Sequence, residues 1–144
     1  FSLFRMTTLP VKIEGHINAK LITSDGNELT VYNGHNDLTS DWDNILRRAL
    51  AGQGNAHITK IGAYKNGVLL AEADITQFNY PTGVSNEIEF VAVFSETSFD
   101  DTLDEIRLTA PLASFSAKTG LSIQKDQTAK LSIDWKLTIN LDNT

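Results

Sequence analysis

Alternation of apolar and polar residues is the dominant pattern of this chain, and it is clearest near the carboxyl end. In LSIDWKLTINL (131–141), leucine, isoleucine and tryptophan occupy the odd positions and polar residues the even positions. Because successive side chains of a strand point to opposite faces, this stretch predicts a long strand with one apolar face. We expect the core to contain Leu131, Ile133, Trp135, Leu137 and Ile139, and solvent or a partner chain to contact Lys136 and Thr138.

The same pattern predicts strands along most of the chain. Residues 11–23 and 28–33 flank the turn sequence SDGN and predict a hairpin, in which Gly15 marks a bulge or bend. With about eight or nine strands in all, we expect two antiparallel sheets packed as a β-sandwich. The remaining predicted strands cover 57–64, 68–73, 87–94, 105–110, 112–117, 119–123 and 129–141.

One segment, 41–51, has the period of a helix instead. Ser40 or Thr39 can cap its start, and Gly52 can end it. A helix of this length can bury one face, so we expect it to cover an open end or edge of the sandwich. The apolar stripe consists of Trp42, Ile45, Leu46, Ala49 and Leu50.

Length and composition narrow the class of protein. A chain of 144 residues predicts one domain, here 11–144, with 1–10 as an amino-terminal arm or the remnant of a tag. The net charge of −6 argues against nucleic acid and anionic membranes as partners. Because the sequence has no cysteine, it has no disulfide, thiolate nucleophile or zinc–thiolate site. No apolar run is long enough for a transmembrane helix.

Candidate catalytic motifs lack the context that their chemistry needs. Ser122 and Lys125 match S-x-x-K, and 118–120 matches K-T-G, but the order is reversed relative to serine β-lactamases. The histidines, His16, His35 and His57, lack metal-ligand spacing. Asp37 and Asp41 lie near His35 in sequence, but helix entry explains them more simply.

The segment 96–105 is rich in carboxylates. It lacks the order and central glycine of an EF-hand, so we interpret it as a solvated loop, with a weak cation site as the alternative. We therefore predict no catalytic, cofactor-binding or metal-binding residue and no enzymatic activity. The carboxylates are Glu96, Asp100, Asp101, Asp104 and Glu105.

Four motifs in a fixed order carry a family resemblance: HNDLTSDWDNILRRALAG, ITKIGAYKNG, IEFVAVFSETSFDDTLDEIRLTA and SIQKDQTAKLSIDWKLTI. Together, over about 33–141, they resemble small structural proteins of tailed-bacteriophage virions, including the amino-terminal attachment domains of tail fibres. Arg107 stands where that family often has glycine, which leaves the subfamily open. The resemblance transfers no catalytic residue.

The resemblance implies a non-enzymatic protein of the virion, assembled in the bacterial host cytoplasm. It would build or decorate the tail, fibre base or neck through contacts with other virion proteins and with copies of itself. Neither nucleic acid nor membrane is expected as a partner. A carbohydrate-binding or adhesin-like module is the alternative, although no motif indicates carbohydrate. That alternative requires at least two exposed aromatic residues on one face, for which the candidates are Tyr32, Tyr64, Phe78 and Tyr80.

Overall fold

A computed structural model describes residues 11–81, 83 and 86–141, so the predicted arm at 1–10 lies outside the described residues. The helix α1 spans Trp42–Leu50, and one turn of 3-10 helix spans Gly54–Ala56. The strands are β1 (Val11–Ile22), β2 (Glu28–Leu38), β3 (Lys60–Lys65), β4 (Val68–Asn79), β5 (Glu87–Phe94), β6 (Asp101–Leu103), β7 (Glu105–Thr109), β8 (Ser114–Lys118), β9 (Ile123–Lys125) and β10 (Lys130–Leu141).

Eight of the strands form a closed antiparallel barrel in the order β1-β10-β5-β4-β3-β7-β8-β2. The remaining two, β6 and β9, form a separate two-stranded sheet. The prediction of a mainly β fold with one short helix is confirmed. The arrangement differs from two separate sheets, because the end of β2 pairs with β8 at Asp37–Ala117 and Leu38–Ser116 and closes the ring. Strand β2 was predicted to end at residue 33, too early to make this pairing.

Strand β10 separates the inside of the barrel from the outside, as its alternation predicted. Leu131, Ile133 and Trp135 have no exposed surface, and Leu137 is 4% exposed. The prediction is wrong at Ile139, which is 46% exposed. The pairing of β10 with β5 ends at Thr138, so Ile139 extends beyond that neighbour and loses its cover.

Gly15 is not a bulge, because β1 keeps regular register with β10 and β2 at this position. Instead, a Cβ at Gly15 would overlap the Asn36 side chain. The Asn36 Oδ1 atom accepts a hydrogen bond of 3.1 Å from Trp135 Nε1. Glycine therefore leaves room for the amide that satisfies the buried indole, and the irregularity of β1 lies between Ala19 and Lys20.

Helix α1 is confirmed, but neither Ser40 nor Thr39 is its N-cap residue. Asp41 is the N-cap residue, and no side chain caps the helix. The Thr39 hydroxyl donates to the carbonyl of Ser114 and thereby ties the helix entry to β8. Ile45 is buried, and Trp42 and Leu46 pack against the core, whereas Leu50 is 80% exposed. The apolar stripe thus extends beyond the barrel that it covers.

Candidate functional site

An apolar groove lies between helix α1 and the nearby end of the barrel. Its volume is about 340 Å³. Ile45, Leu46 and Ala49 form the helical side, and Phe90, Phe115 and Leu137 belong to the barrel side. The rim is more exposed: Phe78 is 41%, Ile139 46% and Tyr80 76% exposed. Soluble proteins usually cover such contiguous apolar surface, so this groove is a candidate interaction site.

Two of the four candidate aromatic residues are neighbours on this rim. Phe78 and Tyr80 both line the groove, and the ring of Phe78 packs at 5.6 Å from His57 and from Phe90. The other two are engaged elsewhere. The Arg107 guanidinium stacks 3.9 Å from the centre of the Tyr64 ring, and the Tyr32 hydroxyl donates to the carbonyl of His35.

At the opposite end of the barrel, a buried lysine contacts the backbone of the segment that was considered as a cation site. Lys125 has no exposed surface, and its ammonium group donates to the carbonyl oxygens of Glu96, Phe99 and Asp126 at 2.6, 3.0 and 2.9 Å. Burial lowers the pKa of Lys125, while the nearby carboxylates oppose that shift. An internal cation therefore organises the carbonyls of this loop.

The acidic segment 96–105 is less open than the solvated-loop interpretation requires, because residues 101–103 form β6. Asp101 forms an ion pair of 2.8 Å with Lys65, and this contact lowers the pKa of Asp101. Asp104 accepts a hydrogen bond from the backbone N–H of Asn66. Glu105 binds Arg107 at 2.9 Å. Among the described residues, no group of three or more histidine or carboxylate side chains is arranged to hold a metal ion.

The S-x-x-K match does not bring its two residues together. Ser122 is exposed just before β9, whereas Lys125 is buried at the end of that strand. Side chains three positions apart on extended backbone point to opposite faces. In the K-T-G match, Gly120 has a φ of 70° and lies in the connection between β8 and β9.

The barrel brings two of the histidines together, which sequence spacing did not reveal. His16 on β1 is paired with His35 on β2, and their rings meet edge to face at 5.5 Å. The His16 Nε2 atom is 2.5 Å from Asn33 Oδ1. Only the strand register brings them together, because 18 residues lie between His16 and His35 in the sequence. Asp41, which is near His35 in the sequence, lies instead at the start of α1.

Beside this pair, the outer wall holds a small polar cavity of about 120 Å³. It is lined by His16, Asn18, Asn33, Asp134 and Lys136. Burial, followed by a hydrogen bond and charge repulsion from Glu89, raises the pKa of Asp134 to about 6. Hydrogen bonds from Asn79 and Asp134 lower the pKa of Glu89, so the pKa values of the two carboxyl groups are shifted in opposite directions.

Comparisons with known proteins add no relative: no family model, curated protein or solved structure matches this chain. Within the described part of the chain, α1 is too short to cross a membrane, and no other helix qualifies.

Proposed function

We propose that this chain is a non-enzymatic structural protein of a tailed-bacteriophage virion, where it builds or decorates the tail, fibre base or neck. The motif order described above supports the class of protein. The apolar groove beside α1 supports the mode of action, because its exposed aromatic and aliphatic rim suits burial against a neighbouring subunit. Its partners are other virion proteins and copies of this chain.

Closure of the barrel determines what kind of contact is available. In an open sandwich, unpaired strand edges can extend a sheet into the next subunit. Here each of the eight barrel strands has a neighbour on both sides, but β2 pairs with β8 only at Asp37 and Leu38, so its residues 28–36 have one unpaired edge. Apart from this edge, contacts through the barrel rely on side chains, and the groove offers a contiguous apolar set of them.

The test is incorporation into particles during infection by the phage that carries this gene. A tagged copy should co-sediment with purified virions, and its absence from them contradicts the proposal. Tyr80→Ser and Ile139→Ser remove exposed apolar groups from the rim and should reduce incorporation while the isolated protein still folds. Leu29→Ser is the matched control, since Leu29 is 62% exposed and does not line the groove. Equal incorporation of all variants excludes the groove as the contact.

A carbohydrate-binding module is less well supported at this groove. Phe78 and Tyr80 do meet the requirement for two exposed aromatic residues. However, a sugar also needs hydrogen-bonding groups, and the groove offers the His57 ring and the Tyr80 hydroxyl amid apolar side chains. This composition favours an apolar protein segment as the occupant.

A further inference from the structure

The amino-terminal end of β1 lies at the open end of the barrel, beside the groove. The chain leaves β2 for α1 at this same end, because β1 and β2 are antiparallel. Ile13 of β1 is paired with Ile139 of β10, which lines the groove. Val11 has the parity of Ile13 and of the buried Ile17, yet its side chain is exposed. An incompletely covered apolar strip therefore connects the first described residue to the groove.

The lining of the groove restricts what can cover it. Among the described residues that form it, none is an aspartate, glutamate, lysine or arginine, and the polar groups are the His57 ring and the Tyr80 hydroxyl. Removing a charge from water without a partner is costly, so a charged occupant is disfavoured. The volume of about 340 Å³ is near the lower end of the range for ligand pockets. A polypeptide segment that contributes a few large apolar side chains fits both conditions.

Three stretches of the sequence continue the chain from this end of the barrel and lie outside the described residues. Residues 142–144 are polar, and 82, 84 and 85 contribute one valine. The arm at 1–10, FSLFRMTTLP, has one charged side chain, that of Arg5. Of the three stretches, the arm therefore has the composition that the groove requires. Its large apolar residues are Phe1, Leu3, Phe4, Met6 and Leu9.

Attachment at Val11 favours the arm of the same chain over that of another molecule. Ten residues of extended chain span up to about 33 Å, and the groove begins at Ile139, beside Ile13. A short tether holds a segment at an effective concentration on the order of millimolar around its own groove. The arm of a second molecule has to match that concentration to compete.

We propose that residues 1–10 pack their apolar side chains into the groove of their own chain and cover its exposed rim. In the isolated protein this arm completes the cover of the open end. A neighbouring subunit that uses the groove then has to displace the arm. The proposal concerns the isolated protein and does not rest on the virion role, so either can fail without the other.

The test uses a spin label on the arm of the full chain. Because the sequence has no cysteine, Ser2→Cys provides a single site for a nitroxide. In ¹⁵N-labelled protein, the label should broaden the amide signals of the groove more than those next to Val11 in the chain. Broadening that is greatest around Val11, without preference for the groove, overturns the proposal. The groove signals are those of residues 45–49, 57–58, 78–80 and 139.

A mixing experiment separates the same chain from a second copy. Spin-labelled protein without ¹⁵N is mixed with ¹⁵N-labelled protein that carries no nitroxide. The groove signals should remain sharp, because each arm occupies its own groove. Broadening of the groove in this mixture shows that the arm binds a second copy and overturns the proposal.

Variants connect the broadening to apolar contact. Leu3→Ser, Phe4→Ser and Met6→Ser together should lower the ratio of docked to undocked arm by about tenfold or more, and the groove signals should sharpen. Thr7→Ser and Thr8→Ser together are the matched control in the arm. On the barrel, Ile139→Ser should sharpen the signals, whereas Leu29→Ser, outside the groove, should not. Broadening that survives the triple substitution overturns the proposal.

Discussion

The two ends of the barrel are closed in different ways. At one end, the β6–β9 pair and the loop before β6 cover the core, and the fully buried Lys125 ties their carbonyls together. At the other end, α1 covers the core only in part and leaves the groove with its exposed rim. The sealed end satisfies its buried charge internally, whereas the open end retains an exposed apolar rim. We therefore expect the sealed end to contribute more to stability than the open end.

The largest loss of folding stability is expected from a charged side chain placed in the floor of the open end. Leu137 is 4% exposed and lines the groove, so Leu137→Asp buries an unpaired carboxylate and should prevent folding. Thr138→Lys is the matched control, because Thr138 faces outward between Glu14 and Glu87 and its variant should fold. Circular dichroism and urea titration measure both. Equal stability of the two variants contradicts the assigned register of β10.

Next in size is the loss of the buried ammonium at the sealed end. Lys125→Met leaves three carbonyl oxygens without their donor, and we expect the free energy of unfolding to fall by about 3–5 kcal/mol. Lys130→Met removes only an exposed ion pair of 3.7 Å with Glu96 and should cost less than about 1 kcal/mol. If urea titration finds the same cost for both variants, Lys125 does not anchor this end.

A smaller effect is expected from the helix at the open end. Trp42 packs against the core but is only partly buried, so Trp42→Ala should lower the free energy of unfolding by about 1.5–3 kcal/mol. Leu50→Ala, at a position 80% exposed on the same helix, should change it by no more than about 0.5 kcal/mol. A Trp42 cost that exceeds that of Lys125→Met reverses the assignment of stability to the sealed end.

The wall between the two ends should respond to pH. The folded state raises the pKa of Asp134 from 3.8 to about 6, so it binds more protons than the unfolded state within that interval. The contribution of Asp134 to stability therefore falls as the pH rises through this window. Asp134→Asn should become more stable than the natural protein by about 1–2 kcal/mol near neutral pH, after allowance for partial exposure.

Urea titrations across this pH range measure the difference between the two proteins. Carboxylates with lowered pKa values, such as Asp25 and Asp101, make the free energy of unfolding rise with pH. Both proteins contain these carboxylates, so their contribution cancels in the difference. A difference that does not change with pH shows that Asp134 is not held protonated by its surroundings.

The smallest expected effect is that of calcium on the sealed end. Lys125 already occupies the carbonyls of Glu96, Phe99 and Asp126, and Asp101 is paired with Lys65. The melting temperature should therefore be the same with EDTA and with calcium. A calcium-dependent rise of several degrees indicates a cation site that competes with these internal cations.

The alternation of the sequence by itself determined where most strands lie and which face of each is apolar. Parity assigned Leu131, Ile133, Trp135 and Leu137 to the core, because a strand allows only two faces. The period of 3.6 likewise identified α1, and the Asp-Gly pair identified the first hairpin, where Gly26 has a φ of 87°. These features depend on residues close together in the chain.

Only the tertiary structure decided the features that join distant segments. The extension of β2 to Leu38 closed the barrel, and the exposure of Ile139 depended on where its neighbour β5 begins. The three carbonyls around Lys125 come from 96, 99 and 126, and the polar cavity draws its lining from β1, β2 and β10. No local pattern encodes such partners, because strand register and loop packing arise from the free energy of the whole core.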